Sequence, residues 1–159
     1  MPAFFFNKMG NFRTKNLQWA GLILAVLVLA AIGLYREKEK QENKAFVLYT
    51  THCASCHGAE GEGLKKLIPP LQNADYVLKN AERLACIIRY GIHEPIEVNG
   101  VPYQANMLGN SRLENDEIRD LVNLIYVDWN GGDKAYNLKE IRQQLDQCLI
   151  SMDTDSVMP

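Results

Sequence analysis

One short run restricts the fold of this chain more than any other, the sequence Cys53-Ala54-Ser55-Cys56-His57. Two cysteines at this spacing, followed directly by a histidine, are typical of covalent attachment of a c-type haem. The two thiols can add to the two vinyl groups of the haem, and the imidazole of His57 then lies within reach of the iron. The motif therefore predicts Cys53, Cys56 and His57 as haem-binding residues, with His57 as a metal ligand.

Two other kinds of site use paired cysteines. A thioredoxin-like redox pair follows a strand in a βαβ unit, whereas Phe46, Tyr49 and Cys53 recur at the spacing of one helix face. A zinc site needs a second pair of ligands, and the other two cysteines, Cys86 and Cys148, are far apart in the sequence. Haem attachment is the favoured interpretation.

Residues 17–35 form an apolar run of 19 positions without a charged side chain. As a helix this run is about 28 Å long, close to the thickness of the bilayer's hydrocarbon layer. The triplet Ala31-Ile32-Gly33 resembles a signal-peptide cleavage site, but the run exceeds the roughly 7 to 15 apolar residues of a signal peptide. We therefore predict a retained transmembrane anchor, with Trp19 and Tyr35 near the two interfaces.

Charge is distributed unevenly about the apolar run. Lys8, Arg13 and Lys15 precede it without an acidic residue, and all 19 acidic residues follow it. The positive-inside rule then places residues 1–16 in the cytoplasm and the remainder on the periplasmic side of a bacterial inner membrane. Membrane lipid is thus a predicted partner, whereas the acidic remainder lacks the basic face that nucleic acid requires.

Helical patterns and turn residues fill the remainder, which predicts an all-α domain. Residues 36–44 are a charged stem, residues 45–132 form the domain, and residues 133–159 contain a further amphipathic helix and a polar tail. Asn73 or Asp75 is predicted to cap a helix that runs to Tyr90. Ile92 to Gln104 is a loop with room for a short hairpin. Ser111 to Glu114 is a possible capping box for the next helix, in which apolar residues recur up to Trp129.

The order of these motifs resembles that of a class I monohaem cytochrome c of the membrane-anchored respiratory type. The similarity covers residues 45 to 132 and includes, after the haem motif, these segments: Pro70-Leu71, Asp75-Tyr76, Val98-Asn99-Gly100, Tyr103, Met107 and Trp129-Asn130-Gly131. The implied fold is the class I cytochrome c fold, here preceded by one transmembrane helix and followed by one extra amphipathic helix. The implied cofactor is a single covalently bound haem c.

The resemblance also implies two further haem contacts. The carbonyl of Pro70 accepts a hydrogen bond from Nδ1 of His57, although a Pro-Pro pair can equally mark a simple turn. Met107 is the implied second axial ligand, with Tyr103 four residues before it. His52 is too close to the haem motif to reach the other face, and His93 lies on a loop.

One residue next to the implied methionine ligand departs from the family pattern. The family usually has proline after the ligand methionine, where this chain has Leu108, so the stiffness of the ligand loop is in question.

The extra helix packs either on the same domain or on a partner. In an oxidising compartment Cys86 and Cys148 can form a disulfide that holds it to the domain. The alternative is two free buried thiols.

These observations predict a membrane-anchored electron carrier of a respiratory chain, not an enzyme. Its partners would be other respiratory-complex subunits or redox proteins, and the extra helix slightly favours a fixed subunit over a freely diffusing tethered shuttle. An alternative is a five-coordinate haem sensor or peroxidase-like protein in which His57 alone binds the iron. A third hypothesis is a structural subunit whose haem is vestigial.

Overall fold

The computed structural model describes residues 10–155, and it describes the side chains of residues 19–148. Of the predicted cytoplasmic segment, residues 1–16, the first nine residues therefore lie outside the described part of the chain. The chain divides into two compact units, Met1–Lys40 and Gln41–Pro159. The α-helices are α1 Gly10–His52, α2 Ala54–His57, α3 Asp75–Lys79, α4 Leu84–Tyr90, α5 Asn115–Asn123 and α6 Leu138–Asp155.

The first unit contains the whole apolar run, and all of its described part is helical. The stretch Trp19–His52 of α1 is long and apolar enough to cross a membrane, and it is the one such stretch among the described residues. The apolar side chains of this unit, such as Leu22 and Leu29, are exposed. Exposure of such residues on a long helix is what a bilayer-facing segment requires.

The second unit is built around helices α4, α5 and α6, which pack against one another. Its largest fully buried side chains come from the end of α1, from α5 and from α6, and they are Tyr49, Ile118, Leu121, Val122 and Ile141. The extra helix α6 therefore packs on its own domain. The all-α fold is confirmed.

Four short strands form two antiparallel pairs: β1 Gly91–Ile92 with β4 Met107–Leu108, and β2 Ile96–Val98 with β3 Val101–Tyr103. Asn99 and Gly100 join β2 to β3 with φ angles of 53° and 75°. Two successive positive φ angles suit the right-handed twist of a two-residue hairpin. The short hairpin predicted at Asn99-Gly100 is thus present.

The predicted helix from Asp75 to Tyr90 is interrupted. It consists of α3, a 3₁₀ turn at Ala81–Arg83, and α4. The break lies at Asn80, whose side chain and backbone N–H both donate to the carbonyl of Tyr76. An asparagine that bonds the backbone in this way competes with helix continuation. Neither predicted cap holds, because the N-cap of α3 is Ala74.

One smaller expectation was also wrong, and the helix concerned ends irregularly. The capping box of the next helix is formed by Glu114 and Glu117, one turn later than predicted. After α5 the chain continues as a wide π-helical turn, Leu124–Asp128. On α1 the ring of Phe46 stacks on that of Tyr49 but is 40% exposed, whereas Ala45 and Tyr49 are buried.

Candidate cofactor-binding cavity

A cavity of about 460 Å³ opens in the second unit. This volume lies within the range of about 300 to 1,000 Å³ that is usual for small-molecule and cofactor sites. Its walls are mostly apolar, and the residues that line it include Pro70, Leu71, Val77, Leu84, Ile87, Ile88, Ile92, Val98, Leu113, Val122 and Ile125. The structure brings all the predicted haem-site residues to this one cavity: Cys53, Cys56, His57, Pro70, Tyr103 and Met107.

The haem motif folds as a direct continuation of α1. The backbone N–H of Cys53 donates to the carbonyl of Tyr49, and that of His57 donates to the carbonyl of Cys53. Cys53 is partly buried and Cys56 is exposed, so the two thiols differ in their surroundings. Burial raises the pKa of the Cys53 thiol to about 11, which keeps it protonated near neutral pH.

His57 is 7% exposed, and its Nδ1 lies 3.0 Å from the carbonyl oxygen of Pro69. Since a carbonyl only accepts, Nδ1 carries the proton and Nε2 is left free to bind a metal. Burial lowers the pKa of His57 below its usual value, although the bond to Pro69 opposes this effect. A neutral imidazole with one free nitrogen is the form that ligates iron.

The acceptor is Pro69, so its assignment to Pro70 was wrong by one residue. The register follows from the backbone bonds around it. Leu64 and Ile68 pair as an isolated bridge, and the N–H of Leu71 donates to the carbonyl of Gly61 at 2.7 Å. These bonds fix both ends of the proline pair and leave the Pro69 carbonyl facing His57. Pro70 lines the cavity instead.

The glycines after the motif allow a close approach between two loops. A β-carbon on Gly63, which has a φ angle of 72°, would lie within 2.7 Å of backbone atoms of Pro69 and Pro70. A β-carbon on Gly61 would lie 2.6 Å from the ring of Trp129. A side chain at position 63 would push the Pro69 carbonyl away from His57, and one at position 61 would push against the ring of Trp129, so glycine is required at both.

An aromatic contact joins the two helices that flank the haem motif. The rings of Tyr49 and Trp129 meet edge to face, with centroids 4.7 Å apart. The hydroxyl of Tyr49 also donates to the carbonyl of Gly58 at 2.6 Å. The sequence did not predict the bond from Tyr49 to the residue directly after His57.

Met107 lies on β4, where it pairs with Ile92. The backbone of this segment also crosses the end of α4, where the N–H of Asn110 donates to the carbonyl of Ile88. Tyr103 is buried, and its hydroxyl donates to the carbonyl of Lys65 at 3.3 Å. The bond from Tyr103 connects the segment before Met107 to the loop that follows the haem motif, and the bond from Asn110 connects the segment after Met107 to α4.

The remaining described histidines occupy different positions. His52 lines the cavity, and its Nδ1 lies 3.4 Å from the side-chain amide of Asn110. His93 is exposed and lies outside the cavity lining. His52 and His57 thus line the cavity from the helical segment that carries the cysteine pair, and Met107 lines it from β4.

Cys86 and Cys148 lie outside the cavity and are joined by a disulfide, with their Cα atoms 6.0 Å apart. The bond connects α4 to α6. Next to it the buried side chain of Gln144 accepts a hydrogen bond from the N–H of Ala85. Since α4 also carries the lining residues Leu84 and Ile87, α6 supports one wall of the cavity from behind.

The donor set fits a haem and not a bare metal ion. In the described part of the chain no cluster of three or more His, Cys, Asp or Glu side chains could hold a metal. A neutral imidazole and a thioether alone are too few ligands, but a porphyrin supplies four nitrogens of its own. The apolar walls and the two thiols at the cavity then suit its macrocycle and vinyl groups.

Comparison with known proteins agrees with this geometry. The family model described as cytochrome c matches residues 43–126. The chain is 32% identical over 91 residues to cytochrome c-552 of Thermus thermophilus, which is 55% of this chain and 70% of that protein. It is 36% identical over 89 residues to the cytochrome c subunit of alcohol dehydrogenase (quinone) from Gluconacetobacter polyoxogenes, of which it spans only 18%.

Proposed function

Because the chain belongs to the cytochrome c family, we propose that it is a single-electron carrier with one haem c bound through Cys53 and Cys56. His57 and Met107 would be the axial ligands. One observation carries the proposal. A buried neutral imidazole, a thioether and two cysteine thiols all line one apolar cavity of suitable volume.

The chain's own residues hold and tune such a cofactor. When bound, the haem would supply a one-electron iron couple. His57, bonded through Nδ1 to Pro69, presents Nε2 in a fixed ring orientation. The thioether of Met107 favours the reduced state relative to a second imidazole. The apolar walls would keep water away from the cofactor, and with His57 and Met107 both bound to its iron no coordination position would remain for oxygen or peroxide.

Electron exchange requires that one edge of the cofactor approach a partner. Cys56 is exposed at the cavity, and two apolar side chains at its lining, Leu67 and Leu108, are 64% and 82% exposed. Isolated exposed leucines are ordinary on a surface, but these two lie beside the residues that would hold the haem. This rim is therefore the expected contact surface for a donor or acceptor protein.

The location of the carrier follows from α1. We propose that residues 17–35 anchor the chain in a bacterial inner membrane, with residues 1–16 in the cytoplasm and the haem domain in the periplasm. Support comes from the exposed apolar face of this helix and from the basic residues before it. Anchoring raises the concentration of the carrier near membrane-bound partners.

Respiratory proteins are the expected partners. Similarity to the cytochrome c subunit of a quinone-dependent alcohol dehydrogenase supports a role as a subunit of a respiratory complex, distinct from the enzyme's catalytic chain. Lipid would be the other partner, and nucleic acid is not expected. A freely diffusing tethered shuttle would use the same haem site without a fixed complex.

Expression of the full chain in bacteria that attach c-type haem tests the proposal. We expect pigment to remain on the denatured polypeptide after extraction with acid and acetone, and the haem absorbance to titrate reversibly with one electron. The double variant Cys53→Ser/Cys56→Ser should lose the covalent pigment. The matched variant Cys86→Ser/Cys148→Ser, which removes the other two cysteines and their disulfide, should keep it. A wild-type chain without covalent pigment would disprove the function.

A further inference from the structure

The side chain of Asn130 makes three hydrogen bonds in the second unit. Its Nδ2 donates to the carbonyls of Leu71 and Ile125, each at 2.7 Å, and its Oδ1 accepts from the N–H of Ala74 at 2.7 Å. Both N–H donors of the amide and its carbonyl oxygen are thus bonded to backbone groups. An amide used in this way is a rigid link between two segments.

The two linked segments are the loop of residues 71–74 and the π-helical turn after α5. In the wide turn Trp129 donates its N–H to the carbonyl of Leu124. Its neighbour Asn130 uses its side chain, and not its backbone, to reach the carbonyl of Ile125. π-helical turns inside helices frequently occur at functional sites. Here the turn places Trp129 over Gly61 and Asn130 against Leu71.

The loop that Asn130 holds also carries the hydrogen-bond acceptor of His57. Pro69 and Pro70 have no N–H groups, so they cannot anchor themselves to neighbouring backbone through donated bonds. Leu71 provides the next fixed point: its N–H donates to Gly61 and its carbonyl accepts from Asn130. The position of the Pro69 carbonyl therefore depends on the bonds made by Leu71.

We propose that Asn130 is a positioning residue for His57, acting through Leu71 and the Pro69 carbonyl on the bond at Nδ1. The inference rests on the proposed function, because it takes His57 as a haem ligand. A hydrogen bond from Nδ1 to a carbonyl makes the imidazole a more basic ligand. A more basic ligand stabilises the oxidised, more highly charged iron, so loss of this bond should raise the reduction potential.

The test compares Asn130→Ala with Asn123→Ala in the full-length haem protein. Asn123 is a matched control, since its side chain makes two bonds, to the N–H and the carbonyl of Tyr136, on the side of the domain that leads into α6. At the wild-type midpoint potential, we expect the ratio of reduced to oxidised haem in Asn130→Ala to rise at least about threefold. Asn123→Ala should lose stability and keep the wild-type ratio.

A second measurement needs no variant. Hydrogen exchange of the reduced wild-type protein can be followed by NMR at two sites, the side-chain amide of Asn130 and the Nδ1–H of His57. We expect the protection factors of the two sites to agree within about threefold, because one opening event releases both. Equal potentials in wild type and Asn130→Ala would overturn the inference. So would a His57 proton that stays protected while the Asn130 amide exchanges freely. In either case covalent haem in the wild type would leave the proposed function intact.

Discussion

Ile92 and Met107 are partners in the antiparallel pair β1–β4, and this pairing holds the predicted methionine ligand by its backbone. Two glycines make the pairing possible. A β-carbon on Gly91 would overlap the carbonyl oxygen of Met107, and one on Gly109 would lie 2.5 Å from backbone atoms of Arg89 and Tyr90. The stiffness that a proline after Met107 would provide is thus supplied by a strand pair between the end of α4 and the ligand segment.

Gly91→Ala should separate Met107 from its strand partner. The φ and ψ angles of Gly91 are 87° and −171°, a region open essentially to glycine alone, so the substitution adds strain of about 1 to 3 kcal/mol as well as the overlap with Met107. We expect the methionine-to-iron absorption band of the oxidised protein to weaken or disappear. Gly100→Ala is the control, because Gly100 has a φ angle of 75° but open space around a β-carbon. A normal spectrum in Gly91→Ala would show that the ligand segment is held in another way.

Met107→Ala should leave haem covalently attached but open one axial position. The reduced variant is expected to bind carbon monoxide without unfolding, whereas the wild type should resist it, and the reduction potential should fall as the thioether is lost. Absorbance spectra with and without carbon monoxide provide the measurement. If the wild type binds carbon monoxide as readily as the variant, the five-coordinate sensor or peroxidase becomes the better hypothesis.

Removal of the disulfide should loosen α6 without removing haem. The bond spans a sequence separation of 62 residues, and in the chain-entropy model a loop of this size stabilises the fold by about 4 kcal/mol. Denaturant unfolding of Cys86→Ala/Cys148→Ala should therefore show a lower midpoint than the wild type. Dithiothreitol should lower the wild-type midpoint towards that of the variant and leave the variant unchanged. If dithiothreitol left the wild-type unfolding midpoint unchanged, Cys86 and Cys148 would be free thiols in the protein.

Acid should release the hairpin β2–β3 from α3. The carboxylate of Asp75 accepts from Lys79 and from the N–H of Asn99, and the side-chain amide of Asn99 accepts in return from the N–H of Asp75. The ammonium of Lys79, and then the N–H of Asn99, lower the pKa of Asp75 below 3.8. Its stabilising contribution is therefore present at neutral pH and is lost as the pH falls through this lowered pKa.

Asp75→Ala measures this effect. The variant should unfold at a lower denaturant concentration than the wild type at pH 7, and the difference should shrink once the pH is well below 3.8. Lys79→Ala removes only the exposed ion pair and should cost less, because exposed pairs contribute little. If the unfolding midpoints of the wild type and Asp75→Ala differed by the same amount at both pH values, the carboxylate would not be the group that stabilises this contact.

Local patterns in the sequence were sufficient for much of this description. Cys53, Cys56 and His57 are adjacent along the chain, so their chemistry can be recognised without a fold. Periodicity gave the all-α class, and Asn99-Gly100 gave the hairpin, because each depends on a few consecutive residues. The helix from Asp75 was predicted too long, since the bond from Asn80 to Tyr76 competes with helix geometry in a way that propensity does not describe.

The amino-acid sequence alone therefore determined which cofactor chemistry the chain can support and that an apolar segment precedes the domain. Tertiary structure alone decided that Pro69 and not Pro70 faces His57, that Gly91 makes room for Met107, and that Asn130 holds the loop after the proline pair. The physical reason is that these contacts join residues distant in the chain. Their geometry depends on backbone registers that short-range spacing does not encode, and a shift of one residue moves a carbonyl to a different partner.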